Sequence, residues 1–360
     1  MADTFYVASR KGLFTYRRKG DDWISRQPAF LGEPVSAVLK DPRDGALYAA
    51  LNLGHFGPKL HRSDDDGNSW TELVAPAFPS ADAEDKDAPS VEQIWTITPG
   101  GADEPGALWA GTIPGALWRS DNRGEGWELI TALWDREERK GWFGGGFDHP
   151  GIHSILVDPR DSANLILGIS CGGVWKSGDR GENWRLTGKG LRSDYTPPEQ
   201  SEELNTQDPH LLAMCPSAPD TIWCQHHNGV FLSKDGGETF TEFRDMKPAA
   251  FGFAVAVHPN DPDTAYLVPG VKDECRVPVG AKLVVNKTTN GGMKWTAQAN
   301  GLPDGPSYDL IFRHALDIDE TGERLVMGST TGNLWITEDG GEKWRQLSAY
   351  LPPVAAVAFA

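Results

Sequence analysis

The sequence predicts an all-β fold: one seven-bladed β-propeller of four-stranded antiparallel blades, occupying residues 1–360 as a single domain. Three observations predict it. The pattern Ser/Thr, any, Asp/Asn, any, Gly, any, any, aromatic starts at Ser63, Ser120, Ser177, Ser233, Thr288 and Thr337, in steps of 57, 57, 56, 55 and 49 residues. A worn copy, YRRKGDDW, starts at Tyr16 and keeps Gly20 and Trp23. Self-similarity at a period near 50 marks an array or a propeller. The third observation is VAAVAFA at the C-terminus, a lone strand with no partner near it in sequence.

Each element of the repeat follows from local chemistry. Glycine supplies a backbone conformation that other residues resist, and the Ser/Thr and Asp/Asn side chains bond nearby backbone N–H groups to lock a turn. The carboxylates of the pattern are therefore structural. An apolar strand precedes each turn, as in GLFTY, GALWRS, GGVWKS, NGVFLS and GNLWIT. Another strand precedes that one, and a third comes before it. With the strand after the turn, each unit holds four, lettered A to D, which is a propeller blade. Strand A is expected to start near Val35, Glu92, Ile152, Pro209, Gly252, Arg313 and Val354. The chain opens on strands B and C with no A, so the C-terminal strand would complete the N-terminal blade and close the ring.

Composition agrees. Hydrophobic residues make up 39% of the chain, with 14 Trp and 41 Gly, which suits a turn-rich β protein. The net charge of −17 disfavours a sequence-independent grip on nucleic acid or an anionic membrane, so neither is expected as a partner. MADTFYVASRKG carries no apolar leader region, and Cys171, Cys215, Cys224 and Cys275 show no metal-binding spacing. Reduced thiols and a cytoplasmic location are expected.

In a four-stranded meander the A–B and C–D turns lie on one end of the ring, and the B–C and D–A loops on the other, here the top. The long irregular segments are top loops: 75–90, 131–151, 188–208, 300–311 and 269–281. Long loops on a rigid scaffold are where binding sits. The acidic run ADAEDKDAP within the first is read as a solvated loop tip.

Strand A lines the central channel, so aligned residues near its start form a ring at the top mouth. Aligned on the turn that ends the strand, one column reads Ser36, Gln93, His153, His210, Phe253, His314 and Ala355. Three of the nine histidines fall in it. Three neutral imidazoles and an amide oxygen could hold a divalent ion, so His153, His210, His314 and Gln93 are the candidate metal ligands, for Zn, Mn, Ni or Fe. Two alternatives stay open: the same groups bind an organic ligand without metal, or they satisfy backbone groups and channel water. Nearby, His149, His227 and Glu92 are candidate acids and bases. Trp95, His55, Asp148, His226 and Arg313 are candidate ligand contacts. His61 and His258 are read as structural.

The repeated turns resemble the Asp boxes of sialidases, sortilin-type receptors, two-domain xyloglucanases and photosystem II assembly-factor propellers. The resemblance covers the whole chain as a repeat and implies fold more than function. Sialidase chemistry is disfavoured: that family places an Arg-x-Pro signature before its first box and has six blades. Here the similar string, Arg276-Val277-Pro278, falls between the fourth and fifth boxes. Xyloglucanases of this type need a second propeller. The photosystem assembly factors imply protein docking. Some seven-bladed polysaccharide lyases hold a metal with histidines at the channel mouth, an analogy at the level of fold.

The resulting expectation is a glycosyl-hydrolase-like propeller that binds a small molecule or carbohydrate at its top mouth, with metal-dependent lyase or hydrolase chemistry as the first reading. The rival is a non-catalytic assembly scaffold docking a protein on Trp-rich top loops around Trp134 and Trp142. An open, polar, His-lined mouth separates the first from the plugged mouth and apolar rim of the second.

Overall fold

The computed structural model describes residues 1–79 and 88–360; most of the acidic run lies outside them. Seven four-stranded sheets are present, every neighbouring pair antiparallel. Their innermost strands are Val35–Lys40, Gln93–Pro99, Ile152–Val157, Pro209–Cys215, Gly252–Val257, Leu316–Ile318 and Val354–Phe359. Each packs against the inner strands of the two neighbouring blades, the last against the first, so the ring is closed. Val354–Phe359 pairs with Thr4–Ser9, which begins the N-terminal blade, as the lone C-terminal strand predicts. Numbered by their first outer strand along the chain, the blades run from blade 1 (Thr4–Ser9) to blade 7 (Leu325–Gly328).

The repeated turns share one hydrogen-bond pattern. In each of the six, the Gly N–H donates to the hydroxyl four residues earlier. At Ser177 the hydroxyl in turn donates to Asp179 Oδ1 (2.8 Å), which also accepts from the Asn183 N–H (2.9 Å). Both side chains are thus engaged by the turn itself. The aromatic residue folds inward: Trp184 and Trp344 are buried between sheets. Trp109, Trp118, Trp175, Trp223 and Trp335 fill further inter-blade layers. Glycine lets the next blade approach, since a Cβ at Gly328 would stand 2.5 Å from Val354 Cγ1.

The channel is not continuous. A lower cavity of about 800 Å³ is lined by Val38, Thr96, Leu211, Val255 and Asp317, among others. An upper one of about 1310 Å³ opens at the top. Trp95, Arg313 and His314 line both and divide them.

Asp317, in the lower cavity, accepts the Phe359 N–H at 2.8 Å. Burial pushes its carboxyl up to about 6. A raised carboxyl pKa means that the folded state binds the proton more tightly. Stability from this group is therefore complete below about pH 4 and falls as pH rises to about 6. Asp317→Asn keeps an acceptor and removes the charge, so it should be more stable than the parent at pH 7 by about 3 kcal/mol and nearly equal to it at pH 4. Urea unfolding at the two pH values checks this; an equal difference at both would refute it.

Candidate functional site

Regular pairing is interrupted at the same height in successive inner strands. Between blade 2 strands, Val35 pairs with Leu51 and Ala37 with Ala50, leaving Ser36 unpaired. Trp95, His153 and His210 are left out in the same way, and Phe253 falls in a similar gap. Such bulges re-aim one side chain per strand. The predicted column is therefore physical, with one correction: Trp95, not Gln93, occupies it. The turn ending that strand is closed by the Gly100 N–H donating to the Ala107 carbonyl, two residues beyond the position the alignment assumed. Gln93 lies higher in the mouth wall, accepting from Asn52 Nδ2 at 2.8 Å. The sixth inner strand also starts at Leu316 rather than Arg313, which leaves Arg313 and His314 outside regular pairing.

The predicted metal cage does not form. His153 is buried, with Nδ1 2.9 Å from Ser154 Oγ. Burial, then the charges of Arg313 and His314, hold its pKa well below the usual value. His314 does cross the channel from blade 7 to blade 4, but it donates from Nε2 to the His153 carbonyl (2.8 Å); burial lowers its pKa to about 4. His210 Nδ1 lies 2.6 Å from the Gly252 carbonyl. The rings of His210 and His314 thus turn to backbone carbonyls and that of His153 to the Ser154 hydroxyl, rather than to a common centre. Among the described residues, the set of three whose ligating atoms converge is Asp208, His210 and His227.

Asp208 ends the loop before Pro209–Cys215. Its Oδ1 accepts from Ser170 Oγ (3.2 Å) and the Cys171 N–H (3.1 Å). Its Oδ2 lies 3.3 Å from His210 Nε2 and 3.5 Å from His227 Nδ1. Burial opposes the charge on Asp208, but the flanking imidazoles and Arg313 outweigh it and hold the carboxyl well below the usual range. Burial likewise opposes a charge on His227, yet Asp208 raises its pKa above the usual value.

Two of the expected ligand contacts, Trp95 and Arg313, line the upper cavity. The Arg313 guanidinium sits 4.9 Å from the Trp95 ring centre and 5.2 Å from that of Phe253. These rings come from the opposite blade and the adjacent one, so Arg313 spans the mouth. Its buried Nε has no partner, and among the described residues it makes no ion pair. Burial pushes its pKa down to about 10. Arg276, bonded to Asp273 Oδ1 at 2.6 Å, lies 5.3 Å from the same Phe253 ring.

The other candidates stand elsewhere. His226 is buried, its ring nitrogens facing the backbone N–H groups of Asp208 (3.1 Å) and Asn228 (3.2 Å). Burial lowers its pKa to about 3, so it is a neutral structural group. His149 and Glu92 pair at 2.7 Å on the exposed surface, outside the cavity lining. His55 lies tilted against Phe56, and Asp148 is exposed; neither lines the cavity. Trp142 is buried, donating to Asn205 Oδ1, and Trp134 packs between Phe78 and Arg139. Neither tryptophan offers a docking surface. The partly exposed rim is instead Phe143, Phe147 and Tyr195. Asp208 and Tyr195 were not singled out from sequence, and Arg276 was named there only in a string that departs from the sialidase signature. A carboxylate two residues before a column histidine was the one available signal.

No family model matches the chain, and no curated protein matches it. Solved structures do. An ancestral GH74 enzyme superposes with a TM-score of 0.61 at 16% identity, covering 84% of this chain and 36% of its own, so this chain spans about a third of that enzyme. YCF48 from Cyanidioschyzon merolae gives 0.58 at 16% identity, covering 94% of this chain and 96% of its own. A putative 6-phosphogluconolactonase from Bacteroides fragilis gives 0.59 at 12% identity, covering 99% and 97%. At these identities the likeness is one of fold. Among the described residues no helix is long and apolar enough to cross a membrane.

Proposed function

We propose that the top mouth binds a small carboxylate-bearing molecule, with an acidic sugar as the best fit. The observation that carries this is Arg313, a cation that makes no ion pair among the described residues and is held between two aromatic rings in the cavity wall. A half-buried guanidinium is costly until an anion meets it, and its planar fork suits a carboxylate. Trp95, Phe143, Phe147 and Tyr195 supply faces for the apolar side of a sugar ring. The net charge of −17 repels an extended polyanion, which favours a small ligand over a long acidic polymer.

The chemistry proposed at this mouth is that of a lyase or hydrolase, acting where Asp208, His210 and His227 face the same cavity. Of the three acids and bases expected from sequence, His227 alone lines it. Four free thiols fit a reducing compartment such as the cytoplasm.

The partly exposed Phe143, Phe147 and Tyr195 favour a second reading, the docking of a protein segment on the rim. The open mouth favours the first. Matched pairs of sugars differing only in a carboxylate, such as galacturonate and galactose, separate the two in a thermal-shift assay on the full chain. The acids should raise the melting temperature at millimolar concentration and the neutral partners should not. Equal shifts, or none across a panel of acids, would overturn the reading.

A further inference from the structure

We infer that Asp208, His210 and His227 form a three-ligand site for a divalent first-row metal ion, open to the mouth cavity. This site differs from the column of histidines that sequence alignment suggests, sharing only His210.

Spacing is the first argument. Asp208 Oδ2 lies 3.3 Å from His210 Nε2 and 3.5 Å from His227 Nδ1, and the three ligating atoms all lie within 4.8 Å of one another. A tetrahedral ion with bonds of about 2.0–2.1 Å holds neighbouring ligands roughly 3.3–3.4 Å apart. The observed spacing is longer than a strong hydrogen bond between a carboxylate and an imidazole, about 2.7–2.9 Å.

The tautomer of His210 is the second. Its Nδ1 stands 2.6 Å from the Gly252 carbonyl, which can only accept, so Nδ1 carries a proton. In a neutral ring Nε2 then presents a lone pair toward the Asp208 carboxylate. Two acceptors facing each other in a buried site repel unless a second ring proton or a metal ion lies between them, and the 3.3 Å separation is long for a protonated pair. An imidazole oriented by a bond from its other nitrogen to a backbone carbonyl is the usual support of a metal-binding histidine.

Asp208 is supported in the same manner. Its Oδ1 is engaged by Ser170 Oγ and the Cys171 N–H, which leaves Oδ2 directed at the two rings. All three ligands belong to one hairpin: Pro209 pairs with His226, and the His227 N–H donates to the Asp208 carbonyl at 3.0 Å. The set is therefore held by a rigid unit. Asp208 and His210 are buried, whereas His227 is about a quarter exposed and all three border the cavity. Three protein ligands with an open position toward a cavity are the arrangement of reactive metal sites. Two imidazoles and a carboxylate suit Zn, Mn, Fe or Ni. A bound ion would polarise a ligand oxygen or a water there. Ion binding stands apart from the proposed acid ligand; only the use of the ion on that ligand rests on it.

The test is elemental analysis of the full chain purified without a histidine tag, followed by chelation and titration with Zn²⁺, Mn²⁺, Fe²⁺ and Ni²⁺ by calorimetry. The expected result is uptake of one ion per chain, weakened at least 100-fold in His227→Ala. That ring is the most exposed of the three, and circular dichroism verifies that the variant is folded. Asp208→Asn should weaken uptake similarly. Arg313→Met should lose the acid ligand while keeping or tightening the ion, because it removes a neighbouring positive charge. Absence of uptake for all four ions, or uptake indifferent to His227→Ala, would overturn the site. Uptake together with indifference to acidic sugars would leave the metal site standing and remove the ligand reading.

Discussion

Arg313→Met should raise the stability of the fold while removing acid binding. The guanidinium lies between Trp95 and Phe253 with its Nε unpartnered, and burial lowers its pKa to about 10. An arginine whose pKa falls on folding is carried in its charged form at a cost. That cost is fully present below about pH 10 and disappears only as pH rises toward the ordinary value of about 12.5. Because solvent reaches part of the group, it comes to about 2 kcal/mol. Methionine is unbranched and polarisable and packs well against aromatic rings, so the variant recovers this amount across the neutral range. The acid ligand, in contrast, loses the cation held between the two aromatic rings, and affinity should drop by at least 100-fold. Arg313→Lys should fall between, since an ammonium keeps the charge without the planar stack. Urea unfolding and calorimetry with the acid read the two effects separately. A Met variant that binds the acid as the parent does would refute the role given to Arg313.

The other large effect concerns ring closure. Removing residues 353–360 should abolish cooperative folding. Val354–Phe359 pairs with Thr4–Ser9 and buries Val354, Ala356 and Val357. It also ties neighbouring parts to the ring: the Val357 N–H donates to the His314 carbonyl and the Val354 N–H to that of Ser329. Buried side chains at about 1.5–3 kcal/mol each and several hydrogen bonds at about 1 kcal/mol each sum to the order of a domain's whole stability. The truncated chain should show no sharp melting transition and should be digested rapidly by protease. A permuted chain, with Ala360 linked to Met1 and new ends cut before Leu351, retains the pairing and should fold. A truncated chain that melts as sharply as the parent would contradict the closure argument.

The repeat was legible because each turn needs a hydroxyl, a carboxylate or amide, and a glycine at fixed spacing, and six of seven turns kept all three. The height of the mouth ring was legible because each bulge falls at a constant distance from the end of strand A. The distance holds at Trp95 too, but the turn after Gln93–Pro99 closes on Gly100, two residues later than its sequence suggests, which put Gln93 in place of Trp95. The direction of each ring was not legible. A column says which residues share a height, but not that His210 turns to the Gly252 carbonyl and His314 to that of His153. Asp208 stands in an irregular loop with no periodicity to mark it. The role of Arg313 depends on Trp95 and Phe253, brought to it from other blades by closure of the ring, and no local pattern carries that information.

The most direct test of the central claim is a crystal structure of the protein soaked with an acidic sugar that passes the thermal-shift comparison. The carboxylate should lie within hydrogen-bonding distance of the Arg313 guanidinium, about 3 Å, with the ring against Trp95 or the rim aromatics. A sugar bound elsewhere on the molecule, with Arg313 untouched, would contradict it.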